Sequence, residues 1–398
     1  MARPDTVSWN RRPGGAGRRP FCCRQKRRVG GRVLRIALIG LPQSGRSTLF
    51  SLLVGHEGRT ERSGVQLGTA NVPDPRLDLL SRMFQPKKTT YARLELADLP
   101  PLDPGGGSGG QGMSAAAFLQ QVQEAELLVH VCRAFHSDYV PHPLGEVDAR
   151  RDAQRVEEEL ILADWSLLSR RLERMAKEIS KGDVAKQQEQ AVLERVVAAL
   201  EEGRPVRALE LSEAEARTLR PYTLLSQKPC LLVLNVDEEG WSRAGRGEEP
   251  FAGARELEAW AEEHRLPSIL VSAELERQVE ELDPEDRAEF LEALGIKERG
   301  LDRVARAAYE ACGLISFFTV GEDEVKAWTV RRGATAVEAA GKVHSDIARG
   351  FIRAEVCAYD DLVRLGSLAK AKEEGVLRLE GKGYPVQDGE IIHFRFNV

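Results

Sequence analysis

A chain of 398 residues is too long for one ordinary hydrophobic core, so two or three domains are expected. Its 42% hydrophobic and 30% charged residues exclude a disordered chain, and no apolar run reaches the ~18 residues of a membrane span. A formal net charge of −5 gives no global case for nucleic-acid binding, and six scattered cysteines without a CxxC pair argue against a zinc or disulfide framework. Reduced thiols in the cytoplasm fit that pattern.

The first 32 residues carry ten Lys/Arg against the single acid Asp5. They hold no apolar stretch for a secretory signal, and Gly and Pro breaks deny a clean amphipathic helix. Residues 1–32 therefore read as a disordered basic tail or an early start codon; an RNA-binding arm and a targeting segment are the alternatives. The stretch RVLRIALIG, Arg32 to Gly40, is apolar with β-branched residues and reads as a buried strand. It runs straight into GLPQSGRSTLF, Gly40 to Phe50, whose continuation has apolar residues at helical spacing.

Strand, glycine loop and helix are the context of a phosphate-binding loop of pattern G-x-x-x-x-G-K-[ST]. Gly40, Gly45 and Ser47 match it, and Arg46 stands in place of lysine. Gly40, Pro42, Gln43, Ser44 and Gly45 would wrap phosphates with backbone N–H groups at a helix N-terminus. Ser47 would offer its hydroxyl to Mg2+, and Thr48 continues the helix. Arginine keeps the positive charge but brings a planar fork with a different reach from lysine. It would hold phosphate in a shifted position or point out of the loop.

Further along, ARLELADLPPL, Ala92 to Leu102, is a second strand ending at Asp98, where a Walker-B-type aspartate would meet Mg2+. The glycine-dense Asp103 to Gly112 reads as a mobile loop. Ala125 to Phe135, Lys228 to Glu238 (with the strand ending at Asn235) and Leu266 to Glu274 supply three more strands. Their alternation with helical segments predicts a parallel α/β sheet. The charged interval from Asp148 to Leu225 interrupts it. There Ile161, Trp165, Leu168, Leu172, Met175 and Ile179 form a heptad stripe, resumed by Leu193, Val196 and Leu200 after a break at Ser180 to Asp183. Two antiparallel helices in a coiled-coil hairpin are the simplest construction. After Gly313 come four strand-like runs and a helix whose Thr335 and Glu338 are spaced as a capping box, a mixed β/α module of about 85 residues.

The phosphate loop, VPDPRLDLL (Val72 to Leu80), LILADWSLLSRRLERM (Leu160 to Met175), LNVDEEG (Leu234 to Gly240) and the C-terminal run from Glu324 onward together resemble the YchF or Obg-like ATPase family, from Val33 to the C-terminus. The resemblance implies three domains: a P-loop G domain over 33–140 and 226–312, a helical coiled-coil insertion over 141–225, and a C-terminal β-grasp (TGS) domain over 313–398. It implies a P-loop NTP hydrolase that binds ATP, or GTP, with Mg2+ and turns it over slowly. It further implies association with the ribosome or ribosomal RNA, a monomer in the cytoplasm, and no role at membranes or on DNA.

Residue by residue, the resemblance assigns Asn235, Val236 and Glu238 to the base-reading loop, in the family's N-x-x-E pattern. VSAE, Val271 to Glu274, resembles the second base-contacting loop through Ser272 and Ala273. Ser47, Asp98 and, from switch I, Ser63 would hold the metal. The glycine of the family's D-x-x-G falls on Pro101, which has no N–H to give a γ-phosphate. Lys342, His344, Arg349 and Arg353 would contact RNA phosphates or form an exposed basic face without a partner. Two functional readings follow. One is a nucleotide switch that controls docking on the ribosome. The other is a degenerate pseudo-NTPase that binds ribosome or RNA without nucleotide, favoured by Arg46, Pro101 and the weak switch I. A stand-alone coiled-coil scaffold is a third, which leaves most motifs unused.

Overall fold

The computed structural model describes residues 35–55, 59–62, 64–100, 115–178, 184–296 and 298–397. The basic tail, Ser63, Pro101, the glycine-dense 103–112, Ile179 and the break Ser180 to Asp183 lie outside the described residues. The strands, in chain order, are β1 (Arg35–Ile39), β2 (Thr60–Arg62), β3 (Val65–Val72), β4 (Lys88–Thr90), β5 (Ala92–Asp98), β6 (Leu127–Ala134), β7 (Cys230–Val236), β8 (Ser268–Val271), β9 (Leu314–Thr319), β10 (Glu324–Arg331), β11 (Phe351–Cys357), β12 (Arg378–Glu380) and β13 (Ile391–Phe396). The described chain divides into two compact units, one of 35–69 with 95–304 and one of 70–94 with 305–397.

The first unit is built on a seven-stranded sheet in the order β2-β3-β5-β1-β6-β7-β8. β1 lies between β5 and β6, parallel to both, and β7 and β8 continue the parallel set. Every residue of β6 and of β7 is buried, as parallel strands covered on both faces require. That explains why LLVHVCRA and CLLVLNV read as continuous apolar runs rather than as alternation. The core cluster gathers Ala37 and Ile39 of β1, Leu128 of β6, Leu232 and Leu234 of β7 and the helical residues Phe118, Leu257 and Trp260. A hairpin of β2 and β3, for which no strand was expected, lies at one edge of the sheet.

Between β6 and β7 the chain makes the helical insertion. Its helices, Ala149–Glu178 and Val184–Glu201, pack along the expected stripe. Ile161, Leu168, Met175, Leu193, Val196 and Leu200 are buried together, with Trp165 and Leu172 partly buried against them. The cross-links run antiparallel: the Trp165 indole N–H donates to Glu201, and Arg171 pairs with Glu189. The middle of the long helix is tied to the returning chain at Asp164, which accepts from the backbone N–H groups of Leu225 and Ser226 and from the Ser226 hydroxyl.

The second unit has a six-stranded mixed sheet in the order β12-β11-β13-β9-β10-β4. The expected helix forms over Ala336–Val343. Its capping box is present, with Thr335 accepting from the Glu338 N–H and Glu338 reaching back. Ala336, Ala339 and Ala340 of this helix pack on Ile315, Phe317, Val330, Ala354, Ile392 and Phe394. β4 comes from the N-terminal part of the chain and pairs in parallel with β10, Lys88↔Glu324 to Thr90↔Lys326. Three residues of mixed polarity carry no strand periodicity, so sequence reading gave no strand there.

Candidate functional site

β1 brings the chain to Gly40 with its last four residues fully buried, so the loop that follows starts from a fixed point. In the neighbouring strands Leu38 pairs with Asp98 of β5, and Ile39 with His130 of β6. The expected strand end at Asp98 thus lies beside the start of the loop. Gly45 precedes the helix Arg46–Val54 with φ +86°, and no side chain caps that helix end. Its first-turn N–H groups therefore remain an anion-favouring end. A Cβ on Gly45 would lie 2.2 Å from Asn235 Nδ2, and one on Gly40 would lie 2.5 Å from the Val131 carbonyl oxygen. The two glycines of the motif are needed here for close approach as well as for backbone freedom.

Arg46 turns inward. Its Nε–H donates to Asp98 Oδ1, forming a buried ion pair, and an Nη1–H reaches the Gly40 carbonyl oxygen at 3.4 Å. Ser47 Oγ donates to Asp98 Oδ2 at 2.7 Å. Arg46 is 8% exposed and Asp98 5%, so this charge pair is largely withdrawn from water. Ser47, Thr48 and Gln43 are exposed, Pro42 is half-buried, and Gln43 adopts φ +60°. Ser44 is buried, and its hydroxyl finds no hydrogen-bond partner among the described residues.

On the side expected to read the base, the structure brings three segments together through one amide. Asn235 Nδ2 donates to the Ser44 carbonyl oxygen at 3.1 Å, and Asn235 Oδ1 accepts from the Ala273 N–H at 3.0 Å. The phosphate loop, the end of β7 and the loop after β8 are clasped by this side chain. Ser272 caps the helix Ala273–Glu281 by accepting from the Leu275 N–H. Glu238 is exposed at the first position of the helix Glu238–Gly245, which Asp237 caps. Val236 lies in the hydrophobic core, so its side chain is turned away from solvent.

A polar group behind the loop was not read from the sequence. Leu41, Pro42 and Ser44 line a small recess together with His130, Cys132, Arg133, His142 and Asp152. His142 Nε2 is 2.8 Å from Asp152 Oδ2, and Arg133 donates to the carbonyl oxygens of Phe135 and Val140. Burial, with a smaller effect of the Arg207 charge, holds the His130 imidazole down at about 3, so it is neutral at pH 7. The sequence signal was His130 and Arg133 inside an otherwise apolar strand.

A carboxylate and a hydroxyl are hard oxygen donors of the kind Mg2+ takes. In this arrangement both Asp98 oxygens already accept from protein donors. Each carboxylate oxygen keeps a second acceptor site, and the Ser47 oxygen can ligate while its hydrogen is donated, so these two side chains fit a divalent ion, with the Arg46 guanidinium as a competing cation beside them. Among the described residues no three His, Cys, Asp or Glu side chains gather as a metal cluster.

The chain is 39% identical over 371 residues to "Ribosome-binding ATPase YchF" of Bacillus subtilis, covering 92% of this chain and 100% of that protein. It belongs to the YchF family. "Obg-like ATPase 1" of Caenorhabditis elegans is 35% identical over 376 residues, with 92% and 93% of the two chains covered. The family model YchF-GTPase_C, described as "Protein of unknown function (DUF933)", matches residues 314–397. Among solved structures, the YchF GTPase of Schizosaccharomyces pombe superposes with a TM-score of 0.78 at 28% identity, over 92% of this chain and 98% of that one. The YchF match covers the P-loop sheet, its helical insertion and the C-terminal module as one continuous alignment.

Proposed function

We propose that this YchF-family chain binds ATP, or GTP, in the loop Gly40–Ser47 and uses its nucleotide state to control association with the ribosome. The observation that carries the reading is the uncapped helix end behind Gly45, joined to the base-side loops by Asn235. Backbone N–H groups there meet phosphates, while Asn235, Glu238, Ser272 and Ala273 lie along the base-side loops. Residues 33–140 and 226–312 act as the G domain, 141–225 as a coiled-coil arm, and 313–398 as a TGS module whose Lys342, His344, Arg349 and Arg353 face RNA phosphates. The relatives' names, ribosome-binding ATPase among them, support the ribosome association; a cytoplasmic monomer is the further part of the proposal.

Hydrolysis in such a loop is positioning plus electrostatics. Mg2+, where bound, supplies charge to the β- and γ-phosphates. Ser47 and Asp98 are the described residues that would hold it, and both are engaged as seen. The buried ion pair of Arg46 with Asp98 favours a second reading, a pseudo-NTPase whose ribosome binding ignores nucleotide. Co-sedimentation of the purified chain with ribosomes, with and without ATP, tests the first against the second. Pelleting that changes with ATP supports the switch; pelleting that is the same in both overturns it in favour of the second.

A further inference from the structure

We propose that Arg133, at the end of β6, is a positioning residue for the phosphate loop: when nucleotide binds, its Nη1–H pairs with the Ser44 hydroxyl from behind the loop. The inference rests on the nucleotide-binding reading above and adds a residue that the loop pattern does not contain. Ser44 and Arg133 line the same recess and are 2% and 3% exposed. Among the described residues, neither the Ser44 hydroxyl nor Arg133 Nη1 has a hydrogen-bond partner. Buried polar groups are nearly always bonded, so two unpaired ones in one recess need a cause. The recess leaves no room for even one water molecule, so no small ligand can satisfy them there. They can satisfy each other, because a serine oxygen accepts and a guanidinium N–H only donates. Asp152 is a competing acceptor in the same recess.

The arginine is the fixed member. Its Nε–H donates to the Phe135 carbonyl oxygen at 3.1 Å and its Nη2–H to that of Val140 at 2.8 Å, with the guanidinium 4.5 Å from the Phe135 ring centre. The wall beside it is equally set. The Leu144 N–H donates to His142 Nδ1, so Nε2 carries the ring proton and donates to Asp152 Oδ2 at 2.8 Å. Ser44 is the adjustable member. It stands between Gln43 at φ +60° and Gly45 at φ +86°, and its hydroxyl turns on a single bond. Phosphate held by the loop's N–H groups orders this stretch. A contact that forms only then favours the bound form, and one with a charged donor is of the strong kind.

The test is calorimetric titration of the full chain with ATP and Mg2+, for wild type, Ser44→Ala, Arg133→Lys and the double variant, with urea unfolding of each without nucleotide. Each single variant should bind ATP about tenfold more weakly, and the double variant no more weakly than the worse single. Ser44→Ala should be at least as stable as wild type, because it removes a buried hydroxyl that is unpaired without nucleotide. Unchanged affinity in Ser44→Ala overturns the inference. So do losses that multiply in the double variant, which would direct Arg133 to Asp152 instead. A Ser44→Ala variant that is both weaker in binding and less stable also overturns it, since the serine would then be a structural contact. If Arg133→Lys folds poorly, the opposite signs expected for Ser44→Ala still decide the point. A wild type silent toward ATP and GTP overturns the nucleotide-binding reading itself, and this inference with it.

Discussion

Replacing Asp98 with alanine leaves the Arg46 guanidinium buried beside Gly40 with no counter-charge. The two side chains are 8% and 5% exposed, so solvent screens little of the pair. Removing one partner of a buried ion pair costs about 3–5 kcal/mol, chiefly because the remaining charge stays desolvated. The Ser47 hydroxyl also loses its acceptor, but Ser47 is exposed and water replaces it, so that loss adds little. Asp98→Asn keeps an oxygen for the arginine but not the counter-charge, so it should recover only about 1 kcal/mol of that loss. Joining Asp98→Ala with Arg46→Met removes both charges, and the double variant should recover about 2 kcal/mol or more of the single loss. Hydrogen exchange on peptides covering β1 and β5 reads this locally, because Leu38 and Asp98 are register partners in those strands. A loss below about 1 kcal/mol for Asp98→Ala, or simple additivity in the double variant, would mean the buried pair is not formed and would sink the reasoning.

Gly45→Ala forces a non-glycine residue to φ +86° and drives its Cβ to within 2.2 Å of Asn235 Nδ2. We expect about 1–2 kcal/mol of strain and the opening of the Asn235 clasp. ATP affinity should then fall about tenfold or more by calorimetry, and unchanged affinity would count against Asn235 as the organiser of the site. His130 gives a pH dependence with a definite sign. Its folded-state value of about 3 lies below the ordinary 6.5, so the unfolded chain takes up a proton that the folded chain refuses. Stability is therefore complete above pH 6.5 and is lost as pH falls toward 3, by about 2 kcal/mol between 6.5 and 5. Urea unfolding at pH 7.5 and pH 5 should show a steeper loss for wild type than for His130→Gln; equal losses would refute the assignment.

Local chemistry determined a good deal here. The continuous apolar runs of β1, β6 and β7, the glycine spacing at Gly40 and Gly45, the stripe through Leu168 and Met175 and the capping pair Thr335 and Glu338 are all short-range patterns. Each depends on the period of a strand or helix, on one backbone dihedral, or on a side chain reaching a near neighbour. The sequence also named Ser47, Asp98 and Asn235 as candidates, because motifs record residue type at a fixed place along an element. It left open whether Arg46 reaches phosphate or points away.

Only the tertiary structure decided that Arg46 turns inward to Asp98, that Asn235 ties Ser44 to Ala273, and that Val236 is given to the core. Arg46 and Asp98 are 52 residues apart in sequence, and Asn235 is 191 residues from Ser44. Their meeting depends on the strand order β5-β1-β6-β7-β8, which no local window contains. The same holds for β4, whose three residues become a strand only because the edge of β10 supplies their hydrogen-bond partners. Periodicity tells a segment which face to bury; the partner it is buried against is set by the topology of the whole sheet.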